Sequence, residues 1–88
     1  MRIGIPREIK NHEYRVALTP EGVRELFAAG HEVRVERDAG AAVGFSSAAY
    51  RAAGARIADS PMAAWNADLV VKVKEPQAAE LERMREGP

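Results

Sequence analysis

The chain has 88 residues, 47% of them hydrophobic, with 13 basic and 13 acidic side chains and no formal net charge. That balance removes the electrostatic case for a nucleic-acid or anionic-membrane partner and argues against intrinsic disorder. With no cysteine, disulfides, thiolate catalysis and cysteine-based zinc sites are excluded. Alanine accounts for 17 of the hydrophobic residues, so large apolar side chains are few, and the length suits one small domain or part of one. No apolar run approaches the ~20 residues that span a bilayer. The opening run Met1–Arg7 meets charge too early for a signal peptide, so a cytoplasmic location is expected.

Arg2–Ile5 is a brief apolar strand that Pro6 ends, because proline lacks the donor a strand interior needs. A charge-rich stretch, Arg7–Tyr14, comes next. Thr19-Pro20-Glu21 then marks a helix start, with Thr19 as N-cap, Pro20 in the first turn and Glu21 against the positive dipole end. Val23, Leu26 and Phe27 form one apolar stripe, and Gly30 is the natural stop. His31–Glu36 alternates polar and apolar, with Val33 and Val35 on one face of a half-buried strand. A loop from Asp38 to Gly44 leads to Ser46 or Ser47, either able to cap a short alanine-rich helix that Gly54 closes. Ala55–Ala58 is a weaker strand. Ser60-Pro61 repeats the capping signature before a helix carrying Trp65. Asp68–Lys74, rich in valine, predicts the best strand in the chain, ended by Pro76. Gln77–Glu86 predicts a last helix.

Strands separated by helical stretches imply parallel crossovers. The expected fold is α/β, a partial flavodoxin-like or Rossmann-like open parallel sheet with flanking helices. Residues 1–88 read as a single incomplete domain, expected to leave an unpaired edge and some apolar surface uncovered.

No glycine pattern forms a dinucleotide fingerprint or a P-loop, and no paired-carboxylate or Ser/His/Asp arrangement is present. His12 and His31 are too far apart for a local metal pair and read as surface or turn residues. Trp65 and Phe27 read as core. Arg15 and Lys74 stand out by position, each in or just beyond the exit from a strand, where open α/β sheets bind ligands. An arginine fork matches a carboxylate, and a lysine offers a mobile charge to a carbonyl oxygen. The pair would suit a small 2-oxo acid, with the two heads within roughly 4–9 Å and the pocket also containing a carboxylate such as Glu13 or Glu75, or bound anions. The plainer alternative makes Arg15 a surface arginine paired with Glu13 or Glu8, and Lys72 and Lys74 one solvated face of an edge strand.

The run from Gly4-Ile5-Pro6-Arg7-Glu8-Ile9-Lys10 through Arg15-Val16-Ala17-Leu18-Thr19-Pro20 resembles the N-terminal signature of the alanine dehydrogenase and pyridine nucleotide transhydrogenase family. Val71-Lys72-Val73-Lys74-Glu75-Pro76 resembles a second block of that family, in the expected order. Both blocks look more like alanine dehydrogenase, which oxidises L-alanine with NAD and water to pyruvate and ammonium. The resemblance implies that Arg15 and Lys74 bind substrate. It also implies that no catalytic residue or NAD site lies in residues 1–88, since the family's histidine, aspartate and Rossmann domain come later. These residues alone are then expected to be inactive, and the family enzyme to be a homo-oligomer whose partner is a small-molecule substrate. A transhydrogenase alpha-subunit N-terminus and a non-catalytic binding or self-association module are the alternatives. His12 replaces the asparagine usual in the signature, while Asp38 and Ala42 replace glycines, which strains the loop wherever φ must be positive.

Overall fold

In a computed structural model, described for residues 1–10, 12–74 and 77–80, four strands form one parallel sheet. They are β1 (Arg2–Ile5), β2 (Glu32–Glu36), β3 (Arg56–Ala58) and β4 (Leu69–Val70), in the order β3-β2-β1-β4. Helices α1 (Pro20–Ala28), α2 (Ser47–Ala52) and α3 (Pro61–Trp65) fill the crossovers. The expected open α/β sheet is therefore present. Each crossover moves the chain outward from β1 to β2 and β3, and α3 then returns it to the opposite side of β1. The order reverses between β1 and β4, which makes that gap the switch point of the sheet.

The helices begin where their sequences dictate. Thr19 Oγ1 accepts the Gly22 N–H, Ser46 Oγ that of Ala49 and Ser60 Oγ that of Ala63, each satisfying a donor the first turn leaves unpaired. Ser46 is thus the cap of α2, while Ser47 Oγ accepts the Asp38 N–H. Gly30 lies just past α1 at φ 95°.

Register puts Ile3 opposite Val33 and Ile5 opposite Val35, so these four share a face. Ile5, Val33 and Val35 are wholly buried with Val23 of α1, against Tyr50 of α2. Phe27, expected in this core, is 54% exposed. Its ring lies where a side chain on Gly54 would point, so it rests on a turn at the rim. On the other face α3 comes so close to β1 that a Cβ on Gly4 would collide with the Ala64 carbonyl. Trp65 is buried there as expected.

β4 is much shorter than the valine run predicts. Val71 still donates to Gly4 O at 3.0 Å, but the next donation in a parallel ladder would fall to Pro6, which has no N–H. The proline that ends β1 also ends its neighbour. Positive φ occurs at His12 (62°) and Asp38 (65°), residue types that tolerate the left-handed region. Ala42 sits instead in a 3-10 turn, Ala41–Val43, so the strain expected there is absent. Most of the helix expected from Gln77 lies outside the described residues, as does Glu75. Among the described residues, no helix is long and apolar enough to cross a membrane.

Candidate functional site

Two chain segments leave the carboxyl ends of β1 and β4 side by side, and everything of chemical interest at the switch point comes from them. The first, Pro6–Leu18, is tied down at several points. Arg7 N donates to Glu36 Oε1 at 3.0 Å as it passes the end of β2. A turn, with Glu13 N donating to Lys10 O, reverses it through the left-handed His12. The buried Tyr50 hydroxyl donates to Leu18 O at 2.6 Å, fixing the approach to α1. Burial pushes the Tyr50 hydroxyl pKa up, so it stays a donor.

The turn sets Glu13 against Arg15. Arg15 Nε donates to Glu13 Oε2 at 3.0 Å and Nη2 to Oε1 at 2.9 Å, while the Arg15 backbone N–H adds a bond to Oε2 at 2.9 Å. Two parallel charge-assisted bonds make this the strong form of an arginine–carboxylate pair. Those bonds from the Arg15 side chain, then its backbone N–H, hold the Glu13 pKa at about 2. The same hydrogen bonds raise that of Arg15.

Lys74 arrives from the other segment, with Nζ 3.8 Å from Glu13 Oε1. Both cationic nitrogens thus flank a single carboxylate oxygen, within about 7 Å of each other. Arg15 and Lys74, 59 positions apart, are brought together as expected, and the cleft also contains Glu13, one of the carboxylates expected there. The plainer expectation for Arg15, a pairing with Glu13, is also met, and the two are compatible. Glu13 engages only Nε and one hydrogen of Nη2. A guanidinium has five N–H groups; among the described residues, Nη1 and the second hydrogen of Nη2 take no partner, and the side chain is 64% exposed. Lys10, His12, Tyr14, Glu13, Arg15 and Lys74 line an open cleft of about 370 Å³. His12 and Tyr14 contribute a hydrogen-bonded rim, Nδ1 and the phenol oxygen being 3.1 Å apart.

Lys72 overturns the expectation of a solvated lysine face. Its side chain is 8% exposed, with Nζ 2.8 Å from Glu8 Oε1 and 3.4 Å from Glu80 Oε2. Alternation along a strand would place it beside Lys74, but the strand stops at Val70, so the period of two no longer applies. Spacing does not single out Glu8 either, since its partners are more than 60 residues away. The one available signal is Pro6, whose missing donor releases the segment after β4 to take other partners.

A larger hollow, about 720 Å³, lies beside β3 at the far edge and is lined by Arg34, Arg37, Arg51 and Arg56 among others. Arg34 pairs with Glu32 and Arg37 with Asp59, both at 2.6 Å, and the hollow is remote from the switch point. Among the described residues no cluster of His, Cys, Asp and Glu could hold a metal ion. The described residues do not form a dinucleotide cradle either. The β1–α1 connection lacks a glycine turn, and the first turn of α1 carries Glu21 and is capped by Thr19, which opposes a pyrophosphate.

Residues 4–88 match the family model described as "Alanine dehydrogenase/PNT, N-terminal domain". The alanine dehydrogenase of Halomonas elongata is 54% identical over 88 residues, covering 99% of this chain and 24% of that protein. That of Bacillus subtilis is 52% identical over 87 residues, covering 99% and 23%. Among solved structures, an L-alanine dehydrogenase superposes with a TM-score of 0.93 at 49% identity, over 94% of this chain and 23% of that one. A transhydrogenase from Sinorhizobium meliloti gives 0.85 at 33% identity, over 94% and 25%. The chain spans about a quarter of the length of the curated relatives it matches. By sequence over nearly its whole length and by the parallel sheet that carries its switch-point cleft, the chain belongs to the alanine dehydrogenase/pyridine nucleotide transhydrogenase N-terminal domain family.

Proposed function

We propose that residues 1–88 are the N-terminal part of the substrate domain of an NAD-dependent alanine dehydrogenase, and that Arg15 and Lys74 hold the substrate. The observation that carries this reading is the convergence of the two cations on Glu13 at the β1/β4 switch point. Arg15, Lys74 and Glu13 together leave one net positive charge, which complements a monocarboxylate such as alanine or pyruvate. Glu13 locks the guanidinium plane from one side, and the open Nη1/Nη2 end can take the substrate carboxylate in a second parallel pair. The Lys74 ammonium then donates to the 2-oxo oxygen of pyruvate, where it stabilises negative charge developing on that atom. NAD and the acid/base group are supplied by parts of the native protein outside residues 1–88. The enzyme is cytoplasmic and homo-oligomeric in this reading, with no nucleic-acid or membrane partner.

A transhydrogenase role is the second reading, supported by the Sinorhizobium meliloti neighbour. The higher identity to the alanine dehydrogenases favours the first. The test is charge reversal in the native-length protein. Arg15→Glu should abolish pyruvate binding, measured by calorimetry, while NADH binding stays within about twofold of the parent. Unchanged pyruvate affinity in Arg15→Glu would remove the assignment.

A further inference from the structure

We propose that Glu8 is the positioning residue for Lys74, with Lys72 as its buried counter-ion. This rests on the reading of Lys74 as a substrate-binding group. Once Pro6, with no N–H for the Val71 carbonyl, has ended the β1–β4 ladder, the chain leaves β1 and its following N–H groups need other acceptors, since donors left unpaired are costly when covered. Glu8 fills that role. Its Oε2 accepts the Val73 N–H at 3.1 Å, and its Oε1 accepts the Lys74 N–H at 3.3 Å and the Lys72 ammonium at 2.8 Å. One carboxylate therefore receives donors from three consecutive residues.

Burial makes the arrangement rigid. The Glu8 side chain is 2% exposed, that of Lys72 is 8% and that of Glu80 is 0%. A carboxylate so enclosed needs a cation in direct contact, and Lys72 is that cation. Glu80 Oε2 lies 3.4 Å from the same ammonium, and Glu80 Oε1 accepts the Gln77 N–H at 3.0 Å. Lys74, by contrast, keeps its side chain 39% exposed and directed to Glu13 in the cleft. Glu8 thus fixes where the Lys74 backbone sits and leaves its ammonium available. Glu8 also lies on the strand-exit segment that carries Arg15. The one segment therefore presents one cation directly and holds the other by its backbone, which sets the spacing of the pair.

The test uses steady-state reduction of pyruvate by the native-length protein, with Glu8→Gln, Lys72→Met, Glu8→Gln/Lys72→Met and Lys74→Met. Glutamine keeps the shape of Glu8 but turns one acceptor into a donor that faces other donors. Glu8→Gln should raise KM for pyruvate about tenfold, with a smaller change in kcat and with KM for NADH within about twofold. Lys72→Met should lower the melting temperature by leaving both Glu8 and Glu80 without their cation. The double variant should regain only part of the melting temperature, because Glu8 no longer carries a buried unpaired charge while Glu80 still does, yet keep the raised pyruvate KM. That separation of stability from pyruvate KM is what a merely structural role would not produce. If Glu8→Gln does not accumulate as folded protein, Glu8→Asp carries the same comparison, since it keeps the charge and shortens its reach. Pyruvate KM unchanged in Glu8→Gln but raised in Lys74→Met overturns the role of Glu8 and leaves the site assignment standing. Equal rises in KM for pyruvate and NADH also overturn it. Pyruvate kinetics unchanged in Lys74→Met overturns the substrate reading itself.

Discussion

Ile3 has two neighbours in the sheet, Val33 on one side and Leu69 on the other, in register and on the same face. Val33 is completely buried, whereas Leu69 is 47% exposed. That contrast divides the molecule. On the β2 side the strands are held by apolar packing under α1 and α2, around Ile5, Val35, Val23 and Tyr50. On the β4 side the strand is two residues long, and the segment beyond it is held by the Glu8–Lys72–Glu80 charges. Apolar packing fixes a scaffold, and a paired polar network fixes individual groups at its edge. The cleft lies on the second side, with its loops rooted in the first.

Truncating the two equivalent neighbours of Ile3 should have unequal effects. Val33→Ala should cost roughly 2 kcal/mol, since it opens a cavity in a filled site. Leu69→Ala should cost less than about 1 kcal/mol, the usual range for a surface position. Urea unfolding of both variants measures the pair. Equal costs would show that the β4 side is packed as tightly as the β2 side.

A smaller effect concerns the cleft loop. Glu13 is held from 4.5 down to about 2, first by its side-chain hydrogen bonds with Arg15. A carboxylate with a lowered folded-state pKa contributes stability that is fully present above its unfolded value and is lost as pH falls through the folded one. The Arg15–Glu13 pairing should therefore persist below pH 4.5 and disappear near pH 2. A carbon-detected NMR titration of the Glu13 carboxyl reads this directly. A midpoint near 4.5, the ordinary value, would mean that the guanidinium is not held by Glu13.

Much of the scaffold is legible in the sequence because local chemistry decides it. Thr19-Pro20 and Ser60-Pro61 announce their helices, and Val33 and Val35 announce a buried strand face. The overextension of β4 has a specific cause: Val71 and Val73 favour a strand, but whether they find one depends on Pro6, which is distant in sequence. Phe27 departs from its expected place because an apolar stripe on a helix does not say how wide the facing sheet is. At the site, Arg15 and Lys74 can be found from their places beyond strand ends. Glu8 and Lys72 cannot, since their roles exist only once the two exits are adjacent.

A crystal structure of the native-length protein with pyruvate bound shows at once whether Arg15 and Lys74 hold the substrate. The pyruvate carboxylate should form a parallel pair with the Nη1/Nη2 end of Arg15, with its 2-oxo oxygen within hydrogen-bond distance of Lys74 Nζ and Glu13 still on Nε. Pyruvate held elsewhere, with Arg15 and Lys74 touching only Glu13, would contradict that assignment.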